Sequence, residues 1–404
     1  LLVVQHHIVS DAWSMQIMVR ELSALYQANV AGLTAKLAAL PVQYADYASW
    51  QRNWLDAGER ERQLDYWTAQ LGGEQPVLEL PVDHPRSERS DRPAARLQLR
   101  VPVALSDSLL DTAKRLNATP FMLLLSAWQA TLHRYSRQAD IRIGVPVANR
   151  NRLETEHLIG FFVNTLVLRA DCSPTTRFVD LLEQTRQATL QAQDHQDLPF
   201  EQLLEALQPQ RNLQHTPLFQ VLFNHHQADA ALHIDAGDLR LEMLDSAPAQ
   251  AQFDLSLTTS QDAEGLSATF AYARDLFEPA TLERMGQHWL QLLHALVTSP
   301  AHAIGEVPLL QGDELQQLTQ WNNTARDYRN DQPVHRLIEA QARLTPDAIA
   351  LVFGDTALSY EQLNRRANRL AHALIAQGVS TDQPVGIAAE RSMELVIGLL
   401  AILK

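Results

Sequence analysis

Cysteine is nearly absent. Cys172 stands alone among 404 residues, which excludes an internal disulfide and a CxxC metal site and suits a reducing compartment. Positive charge is scarce as well: 33 Lys and Arg face 47 Asp and Glu, for a net charge of −14. A nucleic-acid partner would need basic patches dense enough to overcome that background, so none is expected. No segment reaches the ~18 uninterrupted apolar residues that span a bilayer. Leu1 to Val4 is too short for a signal peptide and lacks a basic flank. A cytoplasmic protein with no membrane partner is therefore expected. Internal repeats and low-complexity tracts are missing too. The 46% hydrophobic and 20% charged content is that of a globular chain. Its length allows roughly two to four domain-sized units.

Polar ends are also lacking. The chain starts without Met in an apolar stretch and stops inside the apolar run from Leu395 to Leu403. Natural termini usually fray in polar sequence, which predicts a piece of a longer polypeptide.

What the chain does have is His6-His7-Ile8-Val9-Ser10-Asp11-Ala12-Trp13-Ser14. The preceding apolar run predicts a buried strand. Met15, Met18, Val19, Leu22, Leu25 and Tyr26 follow at helical spacing. Imidazoles at a strand-to-helix turn put proton-transfer groups where a cleft can open, and acyl transfer is the first hypothesis. His-x-x-x-Asp alone says little, because roughly one match is expected by chance and a second, His225 to Asp229, does occur. Context separates the two. No metal-ligating set is expected.

Further along, Arg52 to Leu71 reads as a charged helix ended by Gly72-Gly73. Arg96 to Val101 alternates as a half-buried strand does. Thr119-Pro120 opens a helix that is apolar nearly all round, Phe121 to Tyr135. Strands are expected at 141–147, 160–168, 239–244, 254–259 and 266–272, with helices around Phe178 to Ala188 and over 280–297. Without a strict βαβ rhythm, this favours an α+β fold. Asn322 to Pro333 is polar and turn-rich. After it come a helix over 334–344, a strand over 348–353 turning at Gly354-Asp355, a helix through Leu363 to Leu374, a strand over 385–388 and a last apolar helix.

At this point the sequence resembles the condensation domains of nonribosomal peptide synthetases, collinearly over about residues 1–310. His6 to Ser14 is similar to the HHxxxDGWS core, and Tyr44-Ala45-Asp46-Tyr47-Ala48-Ser49-Trp50-Gln51 to YxDYAxWQ. Ile159-Gly160-Phe161-Phe162-Val163-Asn164-Thr165 matches IGxFVNT, and His195-Gln196-Asp197-Leu198-Pro199-Phe200-Glu201 matches HQDxPFE. Arg211 to Val221 is similar to RDxSRNPLFQ, with Asn212 and His215-Thr216 departing from it. Residues 334–404, after a linker at 311–333, resemble the start of an adenylation domain, through Leu358-Ser359-Tyr360-Glu361-Gln362-Leu363 and Leu400 to Lys404. The resemblance implies a two-lobe chloramphenicol-acetyltransferase-like fold with its first lobe truncated. The beginning of an α/β adenylate-forming domain would follow.

It also implies amide formation between two thioesters carried on phosphopantetheine arms of upstream and downstream peptidyl carrier domains, within a larger synthetase. No cofactor would be bound directly. ATP and Mg would serve only a complete adenylation domain, whose phosphate loop is absent here. His7, beside His6, is the candidate for holding or removing the amine proton, since neutral imidazole can accept a hydrogen bond near pH 7. In the family the Asp pairs with an Arg of the second lobe. Asp11 is thus expected to be structural, paired with Arg150, with Arg169 the runner-up; left unpaired, a buried carboxylate is costly. Ala12, Trp13, Ser14 and Asn164 would border the substrate channel. Ala12 replaces the family's Gly, which implies tolerable backbone angles or added bulk beside the channel. Ser14 reads as the helix N-cap, Trp13 as packing, and Asn164 equally as a satisfied turn residue.

Epimerisation is the sister activity, but its members prefer Val-Ser-Trp where this chain has Ala12-Trp13-Ser14. Cyclising relatives replace the His doublet with Asp. A stand-alone HxxxD acyltransferase would lack the adenylation stretch. A non-catalytic platform that only docks carriers is the remaining alternative for a truncated piece.

Overall fold

The computed structural model describes residues 3–86, 92–208, 215–227, 234–236, 239–241, 250–326 and 332–404. The chain divides into two compact units, Leu1–Gln311 and Gly312–Lys404.

In the first unit the elements run α1 (Ala12–Val30), α2 (Tyr44–Trp54), α3 (Arg60–Leu71), β1 (Ala94–Arg100), α4 (Val103–Arg115), α5 (Pro120–Ser136), β2 (Asp140–Val147), β3 (Asn164–Asp171), α6 (Phe178–Gln193) and α7 (Phe200–Leu207). Then follow β4 (Val221–Gln227), β5 (Ile234–Ala236), β6 (Leu239–Leu241), β7 (Leu255–Asp262), β8 (Gly265–Ala273) and α8 (Pro279–Thr298). Six strands form one sheet in the order β1-β8-β7-β4-β2-β3, while β5 and β6 pair separately. The sheet is mixed: β4 runs parallel to both β2 and β7, and the other neighbours are antiparallel. This is an α+β arrangement. Antiparallel pairing of β2 with β3 starts at Val147 opposite Asn164, so the connection over 148–163 both leaves and returns at one end of the sheet.

Helix α5 explains the core. Thr119 caps it, with its side chain accepting from the Met122 N–H, and Pro120 sits in the first turn. Every residue from Met122 to His133 is buried, as an all-round apolar helix requires. Trp128, Phe270 and Trp289 meet edge to face between α5, β8 and α8.

Several expectations need correcting. Val3 and Val4 form no strand and are exposed; no described strand offers them a pairing partner, and an extended segment without one keeps its backbone groups in water. Arg52 to Leu71 is not one helix: a π-type turn at Leu55–Glu59 joins α2 to α3, with Gly58 at φ 110°, a conformation glycine adopts without steric cost. Residues 160–163 precede the third strand, which begins at Asn164. Of 239–244, only Leu239–Leu241 is described.

The second unit contains α9 (Gly312–Asn322), α10 (Val334–Leu344), β9 (Ile349–Phe353), β10 (Thr356–Ser359), α11 (Tyr360–Ala376) and α12 (Met393–Leu403). Helix α9 occupies part of the stretch read as linker. Strands β9 and β10 form an antiparallel hairpin, and a capping box between Ser359 and Gln362 starts α11. Leu358, Leu363, Ala367, Met393, Ile397 and Leu400 form its core. The strand expected at 385–388 is irregular chain, unpaired with any described strand.

Candidate active site

Three segments converge: the turn before α1, the start of α2, and the 148–163 connection. After His6 the chain makes one 3₁₀ turn, His7–Val9, capped by His6, whose Nδ1 accepts from the Ile8 N–H at 3.1 Å. His7 Nδ1 lies 2.6 Å from the Ser10 carbonyl oxygen. A carbonyl oxygen can only accept, so Nδ1 carries the proton and the neutral ring presents Nε2 as its lone-pair nitrogen. The His7 ring meets Phe161 edge-on at 5.1 Å between centroids, and His7 itself is exposed. A backbone acceptor and an aromatic edge thus fix this ring, while its basic nitrogen is left available.

Behind His7 lies a buried polar knot. Asp11, not Ser14, is the N-cap of α1: its Oδ1 accepts from the Ser14 N–H at 2.8 Å. The same carboxylate accepts from the Phe162 N–H at 3.1 Å and from Arg150 Nη2 at 3.1 and 3.3 Å. Arg150 donates further to the carbonyls of Thr155 at 2.6 Å and Leu158 at 2.8 Å. Its guanidinium lies 4.0 Å from the centroid of Phe162. The Arg150 and Asp11 side chains are almost wholly buried, at 1% and 4%. Burial is the largest single influence on the Asp11 carboxyl and pushes it up. The hydrogen bonds from Ser14 and Phe162, with the Arg150 charge, outweigh that and hold it below its ordinary value. Arg169 is not part of this knot; it pairs with Asp140 at 3.1 Å.

Ser14 is fully buried. Its hydroxyl lies 2.7 Å from Asp11 Oδ1 and 2.9 Å from the Gly160 carbonyl, and accepts from the Gly160 N–H at 3.1 Å and from Arg150 at 2.9 Å. It therefore braces the knot and reaches no open surface. Trp13 is 40% exposed, and its Nε1 donates to the Glu156 carbonyl at 2.9 Å. Ala12 is exposed and opens α1 with helical backbone angles, so the left-handed conformation is not needed there.

Gly160 explains the Ile-Gly step. A Cβ there would lie 2.2 Å from the Tyr44 ring, so the bare backbone is what lets Tyr44 lie close and donate to the Phe161 carbonyl at 2.7 Å. Asn164 joins two of the motifs. Its Nδ2 donates to the Gln196 and Leu198 carbonyls, both at 2.7 Å, and its Oδ1 accepts from the Thr165 and Phe200 N–H groups at 2.9 and 3.1 Å. With its amide fully engaged, Asn164 clamps the 196–200 loop to the start of β3. We expect Asn164→Ala to destabilise the first unit by about 1–3 kcal/mol, because backbone partners lose their bonds in a buried place. A denaturant midpoint equal to wild type would contradict this.

The 195–201 motif is held from the other side by α3. His195 Nδ1 donates to the Gln191 carbonyl at 2.7 Å, its Nε2 accepts from Arg62 at 2.9 Å, and its ring stacks on Tyr66 at 4.0 Å. Sequence reasoning missed Gln63, buried on α3, whose Oε1 accepts from the Leu198 N–H at 2.7 Å. Phe161 is the half-buried ring against His7. Asn149 also went unread, though an Asn just past a strand is a signal for left-handed backbone; its φ is 51°. Residues 211–214 of the fifth motif lie outside the described residues. No group of His, Cys, Asp and Glu suited to a metal occurs among the described residues. No described helix is long and apolar enough to cross a membrane.

The condensation domain family matches residues 1–319, and the AMP-binding enzyme family matches residues 338–404. A linear gramicidin synthase polypeptide of Brevibacillus parabrevis is 43% identical over 407 residues, which cover 99% of this chain and 5% of that protein. A four-domain nonribosomal peptide synthetase solved with AMP and glycine superposes with a TM-score of 0.83 at 24% identity, over 98% of this chain and 31% of its own. The X-domain from teicoplanin biosynthesis gives a TM-score of 0.68 at 27% identity, over 76% of this chain and 70% of its own. The chain thus spans about a twentieth of that curated relative from Brevibacillus. Matched over residues 1–319 and again over 338–404, the chain belongs to the condensation domain family of nonribosomal peptide synthetases, continuing into an AMP-binding segment.

Proposed function

We propose that this chain forms peptide bonds between carrier-tethered thioesters, as part of a larger modular synthetase. The observation that carries this reading is the His7 ring, its Nδ1 bound to the Ser10 carbonyl and its Nε2 left as the acceptor. In the proposed step the acceptor amine attacks the donor carbonyl, a C–N bond forms and the C–S bond breaks. His7 Nε2 takes or positions the proton leaving nitrogen, and that proton goes to the departing thiolate. Asp11 and Arg150 keep the turn and the 148–163 connection in register and touch no substrate. The test is amide formation between two loaded carrier domains, compared between wild type and His7→Ala.

The partners in this reading are the upstream and downstream peptidyl carrier domains, each supplying a phosphopantetheine arm. The chain's own residues would position the two arms. Residues 1–310 would be the condensation part, 311–333 the connection and 334–404 the opening of the adenylation part, in a cytoplasmic synthetase. ATP and Mg would belong to a complete adenylation domain; residues 338–404 contain no Ser/Thr/Gly-rich phosphate loop to hold them. The AMP-binding match disfavours a stand-alone acyltransferase.

Ala12 bears on acceptor size. Its methyl is bulk on the exposed first turn and not a backbone requirement. Ala12→Gly is expected to leave folding within about 1 kcal/mol of wild type. It should raise turnover of bulky acceptors relative to small ones. Identical kinetics with every acceptor would remove this role.

A further inference from the structure

Each of residues 160–162 has a backbone group held by a side chain from elsewhere in the first unit. The Gly160 N–H donates to the Ser14 hydroxyl at 3.1 Å, and the Phe162 N–H donates to Asp11 at 3.1 Å. Both of those anchors belong to the start of α1. The residue between them is held from a different helix: the Phe161 carbonyl accepts from the Tyr44 hydroxyl at 2.7 Å. Phe161 is also the residue whose ring meets the His7 imidazole, with centroids 5.1 Å apart and planes at 83°.

Tyr44 is itself firmly placed. It opens α2, whose start is fixed by the Gln43 N–H donating to Asp46 at 2.8 Å. Its ring stands edge to face with Phe162 at 5.1 Å and lies against the bare backbone of Gly160. Packing therefore locates the ring without help from the hydroxyl, and the bond to Phe161 can be removed separately. Burial, then the Asp11 charge, push the Tyr44 phenol above its ordinary value against the Arg150 charge. The hydroxyl thus keeps its proton at neutral pH and stays a donor.

The His7 ring needs a second restraint. Its hydrogen bond to the Ser10 carbonyl holds one atom, Nδ1, and a ring held at one atom can still swing about that bond. The Phe161 ring blocks the swing, and its own direction is set by the backbone that Tyr44 clamps. We propose that Tyr44 is a positioning residue for His7: by holding the Phe161 carbonyl it fixes the Phe161 ring, and through that ring the imidazole. Its effect on the rate rests on the proton role assigned to His7, whereas its effect on the ring does not.

The test is Tyr44→Phe, which deletes the hydroxyl and keeps the packed ring. Nitrogen NMR of the 404-residue chain with labelled histidine, at a pH where the rings are neutral, reads the ring directly. The His7 signals are those lost in His7→Ala. Wild type should show one tautomer, protonated on Nδ1; in Tyr44→Phe the two nitrogen shifts should approach each other as the loosened ring exchanges its proton. Unchanged shifts would overturn the proposal. In amide formation between two loaded carriers, kcat should fall about three- to tenfold, the effect of one net hydrogen bond, with KM unchanged. In a His7→Ala background the same substitution should cost less than about twofold. An equal loss in both backgrounds would mean that Tyr44 acts by another route, and would equally overturn the proposal. Should Tyr44→Phe fail to fold, Phe161→Leu, which removes the ring and keeps the backbone bond, must show the same shifts and the same dependence on His7. Altered shifts with a wild-type rate would leave Tyr44 as the brace and defeat the proton role of His7, so the two failures give different results.

Discussion

His7→Ala should lower the rate of amide formation between two loaded carrier domains by about 10²–10⁴-fold, the usual contribution of a positioned acid–base group. The ring is set up for that role by its surroundings. A hydrogen bond from Nδ1 to the Ser10 carbonyl at 2.6 Å fixes which nitrogen carries the proton, and the Phe161 edge limits ring rotation. His7 is exposed and lies outside the buried knot, so its loss should leave the denaturant midpoint close to that of wild type. Loading of both carriers must be verified separately, by mass spectrometry of the tethered species. With loading intact, undiminished product would rule out His7 as essential to the chemistry. His6→Ala serves as the contrast. Its Nδ1 accepts from the Ile8 N–H at 3.1 Å, so it shapes the 3₁₀ turn and its replacement should cost much less rate.

The sequence carried the motifs better than it carried the places between them. Helix α5 was legible because Thr119-Pro120 is a strong start and because the apolar pattern has no polar face to misassign. The β9–β10 hairpin was legible through Gly354-Asp355, a turn pair directly after the apolar run Ile349 to Phe353. The opening Leu1 to Val4 misled, because an apolar run says nothing about whether a neighbouring strand exists to pair with it. The break at Leu55–Glu59 was hidden for a different reason. Charged residues around Gly58 fit a helical surface, and only the observed φ of 110° shows that the chain turns there. In the site, Ser14 and Asp11 both have N-cap chemistry, and spacing alone could not say which one flanks the helix. Gln63 escaped notice because its importance comes from Leu198, whose N–H it holds from 135 residues away in sequence. Pairing of Asp11 with Arg150, the partner that the family resemblance implied, has a tertiary cause. It follows from the antiparallel β2–β3 pairing, which returns the 148–163 connection over α1.

That knot is also where the largest loss of stability is expected. Asp11→Ala removes the N-cap of α1, strands the Phe162 N–H, and leaves the Arg150 guanidinium buried without its counter-charge. Removing one partner of a buried ion pair costs about 3–5 kcal/mol, more than the pair contributes net. The denaturant midpoint of the first unit should fall accordingly, and amide formation should fall with it as the His7 turn loses its anchor. Arg150→Lys keeps the charge but cannot hold Asp11 and the Thr155 and Leu158 carbonyls at once. It should therefore be less damaging than Asp11→Ala and still measurably destabilising. The pH dependence has a definite sign. Because the folded carboxyl titrates below its ordinary value of 3.8, the folded state binds fewer protons than the unfolded chain over that window. The contribution of Asp11 is thus full above the ordinary value and is lost as pH falls through the lower, folded one. In Asp11→Asn, which keeps the shape without the charge, the acid limb of the stability curve should flatten over that interval. If the variant follows the wild-type curve in parallel from neutral pH down to about pH 3, the carboxylate is not what holds the two segments together.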